Sequence, residues 1–186
     1  MQKIILASQS PRRKQLLEWA EVDFDVIVSD ADESFPPTLA FDEVAIYIAK
    51  NKALAVAALQ INDMPILAAD TIVVCDNTII GKPENREEAI SFLKRLSGNI
   101  HQVITGVVIL IKGKEIAFAD TTTVSFHTLT NEQIIFYVDK YQPYDKAGAY
   151  AIQEWIGVVG IKSIEGDFYN VMGLPVSRVI QELAAL

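Results

Sequence analysis

With 186 residues, 51% of them hydrophobic and 22% charged, the chain has the makeup of a globular protein large enough to bury a core in one domain, which excludes a disordered or fibrous one. Its 24 acidic residues outnumber 16 basic ones for a net charge of −8, which argues against a protein whose main partner is the phosphate backbone of DNA or RNA. One cysteine, Cys75, excludes an internal disulfide and fits a reducing compartment, and no apolar run approaches the roughly 18 residues of a membrane span.

The first element is the run K-I-I-L-A-S-Q-S-P-R-R-K at residues 3 to 14. Lys3 to Ala7 is apolar and rich in β-branched residues, as in a buried strand, and is too short for a signal peptide, so a cytoplasmic protein is expected. Ser10 is a good N-cap and Pro11 a good first helical residue, which puts Arg12 and Arg13 in the first turn. Two cations there oppose the helix dipole, and a bound anion held by backbone N–H groups, Ser8, Ser10 and the guanidinium groups would explain them. The plain alternative is two solvated arginines behind a capping serine.

Asp23 to Ser29 alternates as a second strand and runs into an acidic, proline-stiffened loop with Glu33, either a functional carboxylate or a solvated one. Residues 42 to 60 form an Ala-rich helical pattern whose apolar stripe of Val44, Ile48, Ala55 and Leu59 includes Lys52. That lysine either meets an anion or snorkels to water. Pro65 to Cys75 is apolar on both faces, the pattern of a central strand, and Asp70 interrupts it. A carboxylate there needs a cation, a metal or a cleft. Asp76-Asn77 is a turn, and Gly81-Lys82-Pro83 a stiff loop from which Lys82 projects.

Asn85 opens a helix with a capping box, Ile100–Ile111 and Lys114–Phe126 read as a hairpin, and Thr130 opens another helix through Val138. Asp145 to Tyr150, followed by Gln153, sets small residues beside polar ones, as in backbone packed closely against something, Val158 to Ile164 reads as a last strand, and Pro175 to Leu186 as a C-terminal helix. The expectation is a single α/β domain over residues 1–186.

Several chemistries lack their residues. The chain has neither a G-x-x-x-x-G-K-[ST] nor a G-x-G-x-x-G loop, His101 and His127 are isolated, and Cys75 has no evident base. What remains is a set of cations able to hold phosphates, Arg12, Arg13, Lys52 and Lys82, and two carboxylates able to hold a hard divalent cation or activate water, Glu33 and Asp70. That combination suits metal-assisted hydrolysis of a phosphoanhydride.

The runs L-A-S-Q-S-P-R-R, A-A-D-T-I-V, G-K-P, L-S-G-N-I-H-Q-V-I-T-G-V, D-K-A-G-A-Y-A-I-Q and F-Y-N-V-M-G-L-P, in this order, resemble the Maf family of nucleoside triphosphate pyrophosphatases over nearly the whole chain. The resemblance implies an inosine-triphosphatase-like mixed sheet with flanking helices and two lobes around a central cleft. It implies hydrolysis of a nucleoside triphosphate to the monophosphate and pyrophosphate with Mg²⁺ or Mn²⁺. By motif, Asp70 would be the base or metal-bound carboxylate and Glu33 would assist at the metal, while Ser8, Arg13, Lys52 and Lys82 would hold phosphates. Arg12, Thr71 and Gln153 resemble the base-reading positions of the dTTP and UTP branch rather than the 7-methyl-GTP branch. Glu154 stands where the family more often has glycine. The family also suggests a link to septum formation, through turnover or as a non-catalytic nucleotide sensor, and leaves room for a homodimer; nucleic acid and membrane are not expected partners.

Overall fold

The computed structural model describes residues 2–59 and 63–185. In chain order the elements are β1 Ile4–Leu6, α1 Pro11–Trp19, β2 Phe24–Val26, α2 Phe41–Ala57, β3 Ile66–Cys75, β4 Thr78–Ile80, α3 Arg86–Leu96, β5 Ile100–Ile111, β6 Lys114–Phe126, α4 Asn131–Tyr141, α5 Trp155–Gly160, β7 Ile161–Glu165, α6 Phe168–Met172 and α7 Val176–Ala184. The strands form one mixed sheet of order β2-β1-β3-β5-β6-β7, with β4 paired to β3. β1 runs parallel to β2 and β3, whereas β4 is antiparallel to β3 and β7 to β6. This is the mixed α/β architecture expected from the sequence. The chain divides into two compact units, one of residues 1–71, 105–120 and 173–186, the other of residues 72–104 and 121–172. Strands β3, β5 and β6 contribute residues to both.

In the first unit, β3 is buried on both faces and its Ala68 packs in a core with Ile5, Ala49, Ala53, Val56 and Val108. The buried stripe of α2 is Val44, Ala45, Ile48, Ala49, Ala53 and Val56, so the inward face is rotated from the expected one and Leu59 is exposed. Lys52, four residues after Ile48 and four before Val56, lies within this stripe as expected. The helix can turn its alanine face inward because β5 carries Gly106, where a Cβ would fall 2.2 Å from the Ala45 carbonyl carbon. No other residue fits so close an approach.

The turns at Asp76-Asn77 and Lys112-Gly113 both have positive φ at their two central residues, as the hairpin signals required. Other expectations change. β2 is three residues long, because the chain leaves the sheet at Ile27. Val158 to Gly160 is helical rather than a strand, and only Ile161 onward pairs with β6. The β-branched pair Val158-Val159 suggests a strand, but Gly157 lets a helical turn close against the Ile152 carbonyl oxygen, which a Cβ would meet at 1.7 Å. Gln60 and Leu186, expected ends of two helices, lie outside the described residues. Among the described residues no helix is long and apolar enough to cross a membrane.

The second unit buries His101 against the rings of Phe126 and Tyr150, edge-on at 5.2 and 5.4 Å. Its Nε2 shares a 2.7 Å hydrogen bond with the Tyr150 hydroxyl, and its Nδ1 has no partner. Burial pushes the imidazole down to about 4 and the Tyr150 phenol upward. An unfolded histidine takes up its proton near pH 6.5, so between there and pH 4 the unfolded chain binds more protons and stability falls with acidification, by about 3 kcal/mol in full. Urea unfolding of the wild type should therefore lose stability from pH 6.5 downward, and His101→Gln should flatten that slope. An identical slope in the variant would place the proton uptake elsewhere.

Candidate active site

Polar side chains gather in each unit. In the first, the chain leaves β1 through Ala7 and Ser8 and enters α1 at Ser10. The Ser10 Oγ accepts the Arg13 N–H at 3.4 Å, and the Ser8 Oγ accepts the Ser10 N–H at 3.2 Å. Arg13 turns inward and is 8% exposed. Its Nε donates to the Gly173 carbonyl at 2.7 Å, Nη1 to Ser8 Oγ at 3.1 Å and Nη2 to Thr71 Oγ1 at 3.0 Å. Three of five guanidinium hydrogens are thus committed to the protein, leaving two for an anion. Burial lowers the pKa of this guanidinium from its ordinary value; Asp70 and Glu33 oppose that and Arg12 adds to it. Arg12 is half-buried at the same helix start.

The Thr71 hydroxyl, which accepts from Arg13, also shares a 2.9 Å hydrogen bond with Thr105 Oγ1, a fully buried residue of β5. That hydroxyl is consumed by the scaffold. Thr105 carried no functional reading in the sequence because one threonine in an apolar strand reads as core.

Asp70, next to Thr71 on β3, is 9% exposed. Its Oδ1 lies 2.5 Å from the Lys52 Nζ, and the same ammonium is 2.7 Å from Glu33 Oε1. Lys52 therefore meets anions rather than snorkelling. The pair to Glu33, itself half-exposed, contributes little by itself, whereas removing Lys52 would strand a buried carboxylate. Among the described residues, no group of three or more His, Cys, Asp or Glu gathers. Two carboxylates suit an ion such as Mg²⁺, which takes one or two from the protein and completes its shell with water and phosphate oxygens.

In the second unit, Lys82 is exposed on the loop before Pro83, where the Gly81 carbonyl accepts the Gly148 N–H at 3.0 Å. Gln153 is exposed within a turn closed by a 3.1 Å hydrogen bond from Glu154 N–H to the Ala151 carbonyl. Tyr137 and Lys146 lie against Glu154, the last residue of that turn. The Tyr137 hydroxyl donates to Glu154 Oε2, Lys146 Nζ lies 3.7 Å from Glu154 Oε1, and Lys146 also donates to Asp145 Oδ1 at 2.7 Å. Of these, Lys146 lay in the D-K-A-G-A-Y-A-I-Q run and Glu154 stood out as an acidic residue where the resemblance led one to expect glycine, while Tyr137 had no signal in the sequence.

The structure thus joins Ser8, Arg13 and Thr71 in one hydrogen-bonded group and Glu33, Lys52 and Asp70 in another, both in the first unit. Lys82 and Gln153 belong to the second unit.

The chain belongs to the Maf family: residues 3–186 match the family described as Maf-like protein. A protein of Parabacteroides distasonis named dTTP/UTP pyrophosphatase is 50% identical over 182 residues, 97% of this chain and 94% of that one. One of the same name from Cytophaga hutchinsonii is 52% identical over 180 residues, 97% of this chain and 82% of that one. Among solved structures, the Ham1 protein of Staphylococcus aureus aligns over 99% of this chain and 98% of its own with a TM-score of 0.53 at 17% identity, a likeness of fold.

Arg13→Lys keeps the charge and loses the fork that reaches Gly173, Ser8 and Thr71 together. It should cost about 2 kcal/mol or more of unfolding free energy. Urea denaturation checks this, and an unchanged midpoint would mean that the three hydrogen bonds carry no net stability.

Proposed function

We propose that this protein hydrolyses dTTP and UTP to the nucleoside monophosphate and pyrophosphate. The observation that carries the chemistry is the Glu33–Lys52–Asp70 group, two carboxylates on one ammonium, built beside the buried Arg13 and the start of α1. The choice of substrate is supported by the two relatives of that name, each matched over 97% of this chain.

In this reading Asp70 accepts the proton of a water whose oxygen attacks phosphorus, and the bridge between the α and β phosphates breaks. Ser8, Arg13, Lys52 and Lys82 hold the phosphates. The committed hydrogen bonds of Arg13 fix its plane before substrate arrives, so little is lost in ordering it. Lys52 spaces the two carboxylates and offers a positive charge to the departing anion. Asp70 and Glu33 would hold a divalent cation, which neutralises phosphate charge when bound. Arg12, Thr71 and Gln153 are assigned to the base. Thr71 acts there through its placement of Arg13 and its methyl group, since its hydroxyl is engaged. The Gln153 amide can donate to and accept from the imide edge that thymine and uracil share. A cytoplasmic enzyme acting on free nucleotides belongs to the same reading.

Pyrophosphate release from the common nucleoside triphosphates and 7-methyl-GTP, with Mg²⁺ and with chelator, tests this. Metal-dependent turnover favouring dTTP and UTP is expected. Preference for 7-methyl-GTP would overturn the substrate, and binding without turnover would make the protein a sensor. Asp70→Asn should lower kcat at least about 100-fold while nucleotide affinity changes only a few-fold; retention of most of kcat would move the base to another group.

A further inference from the structure

The turn that presents Gln153 is held from behind by one hydroxyl. Tyr137 on α4 is fully buried, and its ring stacks on Tyr141 with centroids 4.9 Å apart. Its hydroxyl accepts the Ala151 N–H at 3.2 Å and donates to Glu154 Oε2. Ala151 and Glu154 are the first and last residues of the four-residue turn, and Gln153 is its third. The turn thus hangs from the tyrosine by both ends.

Lys146, 9% exposed, stands at the other oxygen of the same carboxylate and is held in turn by Asp145. A carboxylate with a phenol on one oxygen and an ammonium on the other has few rotamers left. Beyond the turn, the Glu154 carbonyl accepts the Gly157 N–H at 2.9 Å, and Gly157 packs on the Ile152 carbonyl at a distance that excludes any side chain. Every neighbour of Gln153 in the turn is fixed, while its own amide is exposed.

We propose that Tyr137 and Glu154 are positioning residues that set the Gln153 amide for base recognition, with Lys146 orienting the Glu154 carboxylate. The inference rests on the assignment of Gln153 to the base. Neither residue touches the reacting atoms in this scheme, so their loss should register in KM and in base preference rather than in kcat.

The test is a mutant cycle on pyrophosphate release from dTTP, UTP and GTP. Tyr137→Phe keeps the stacked ring and removes the clamp; it should raise KM for dTTP and UTP about tenfold and leave kcat within about threefold. Glu154→Ala should do the same, whereas Glu154→Gln, which can still accept from the tyrosine, should recover most of the affinity. On a Gln153→Ala background Tyr137→Phe should change nothing further, because the clamp acts through the missing amide. Equal effects of Tyr137→Phe on both backgrounds, or none on either, would overturn the clamp while a Gln153→Ala loss of preference keeps the base assignment. A Gln153→Ala variant with unchanged preference would overturn both.

Discussion

The constraint on which the first unit turns is a carboxylate placed in a strand with no solvated face. β3 is buried along its length except at Thr71, and Asp70 has to be matched by a cation from another element. The match comes from Lys52, 18 residues earlier on α2. Its ammonium reaches Oδ1 only if α2 lies close on the sheet, and the space for that is the missing side chain of Gly106. A packing feature of the apolar core thereby sets the distance on which the polar group depends. The same ammonium takes Glu33 from a loop, so one ion pair in the interior organises a second at the surface.

Arg13 does for the chain path what Lys52 does for charge. Its hydrogen bonds span five residues to Ser8, 58 to Thr71 and 160 to Gly173. A buried guanidinium with three partners is well satisfied, and it fixes the start of α1 relative to β3 and to the segment before α7. The start of the helix is then a rigid surface. It is prepared by contacts that also hold the unit together, so a change at Arg13 disturbs the helix start and the stability of the unit at once.

Much of this was legible because it violates local rules. An aspartate in an apolar strand, a lysine within the apolar stripe of a helix and two arginines in the first turn of a helix each conflict with what their surroundings favour. The residues that obey local rules gave no such signal. Thr105 suits a β-strand, and Tyr137 lies on the buried face of an amphipathic helix with Ile134 and Val138. Their hydrogen-bonding groups find partners 34 and 14 residues away, beyond the reach of any periodicity. The helix at Trp155–Gly160 was hidden for a related reason: valines mark a strand by propensity, and the close contact of Gly157 with Ile152 is a tertiary fact.

The two groups also differ in how they are held, and this bears on which properties can change separately. The residues around Asp70 come from a strand, the body of α2 and a loop and are tied by side-chain bonds across the first unit. Gln153 sits on a short turn tied to one tyrosine, one carboxylate and a glycine contact, all in the second unit. A substitution at Glu154 can shift the amide of Gln153 without touching any partner of Asp70, Lys52 or Arg13. The Glu154 side chain acts as a tether, and the turn is made rigid by the Tyr137 hydroxyl at both of its ends.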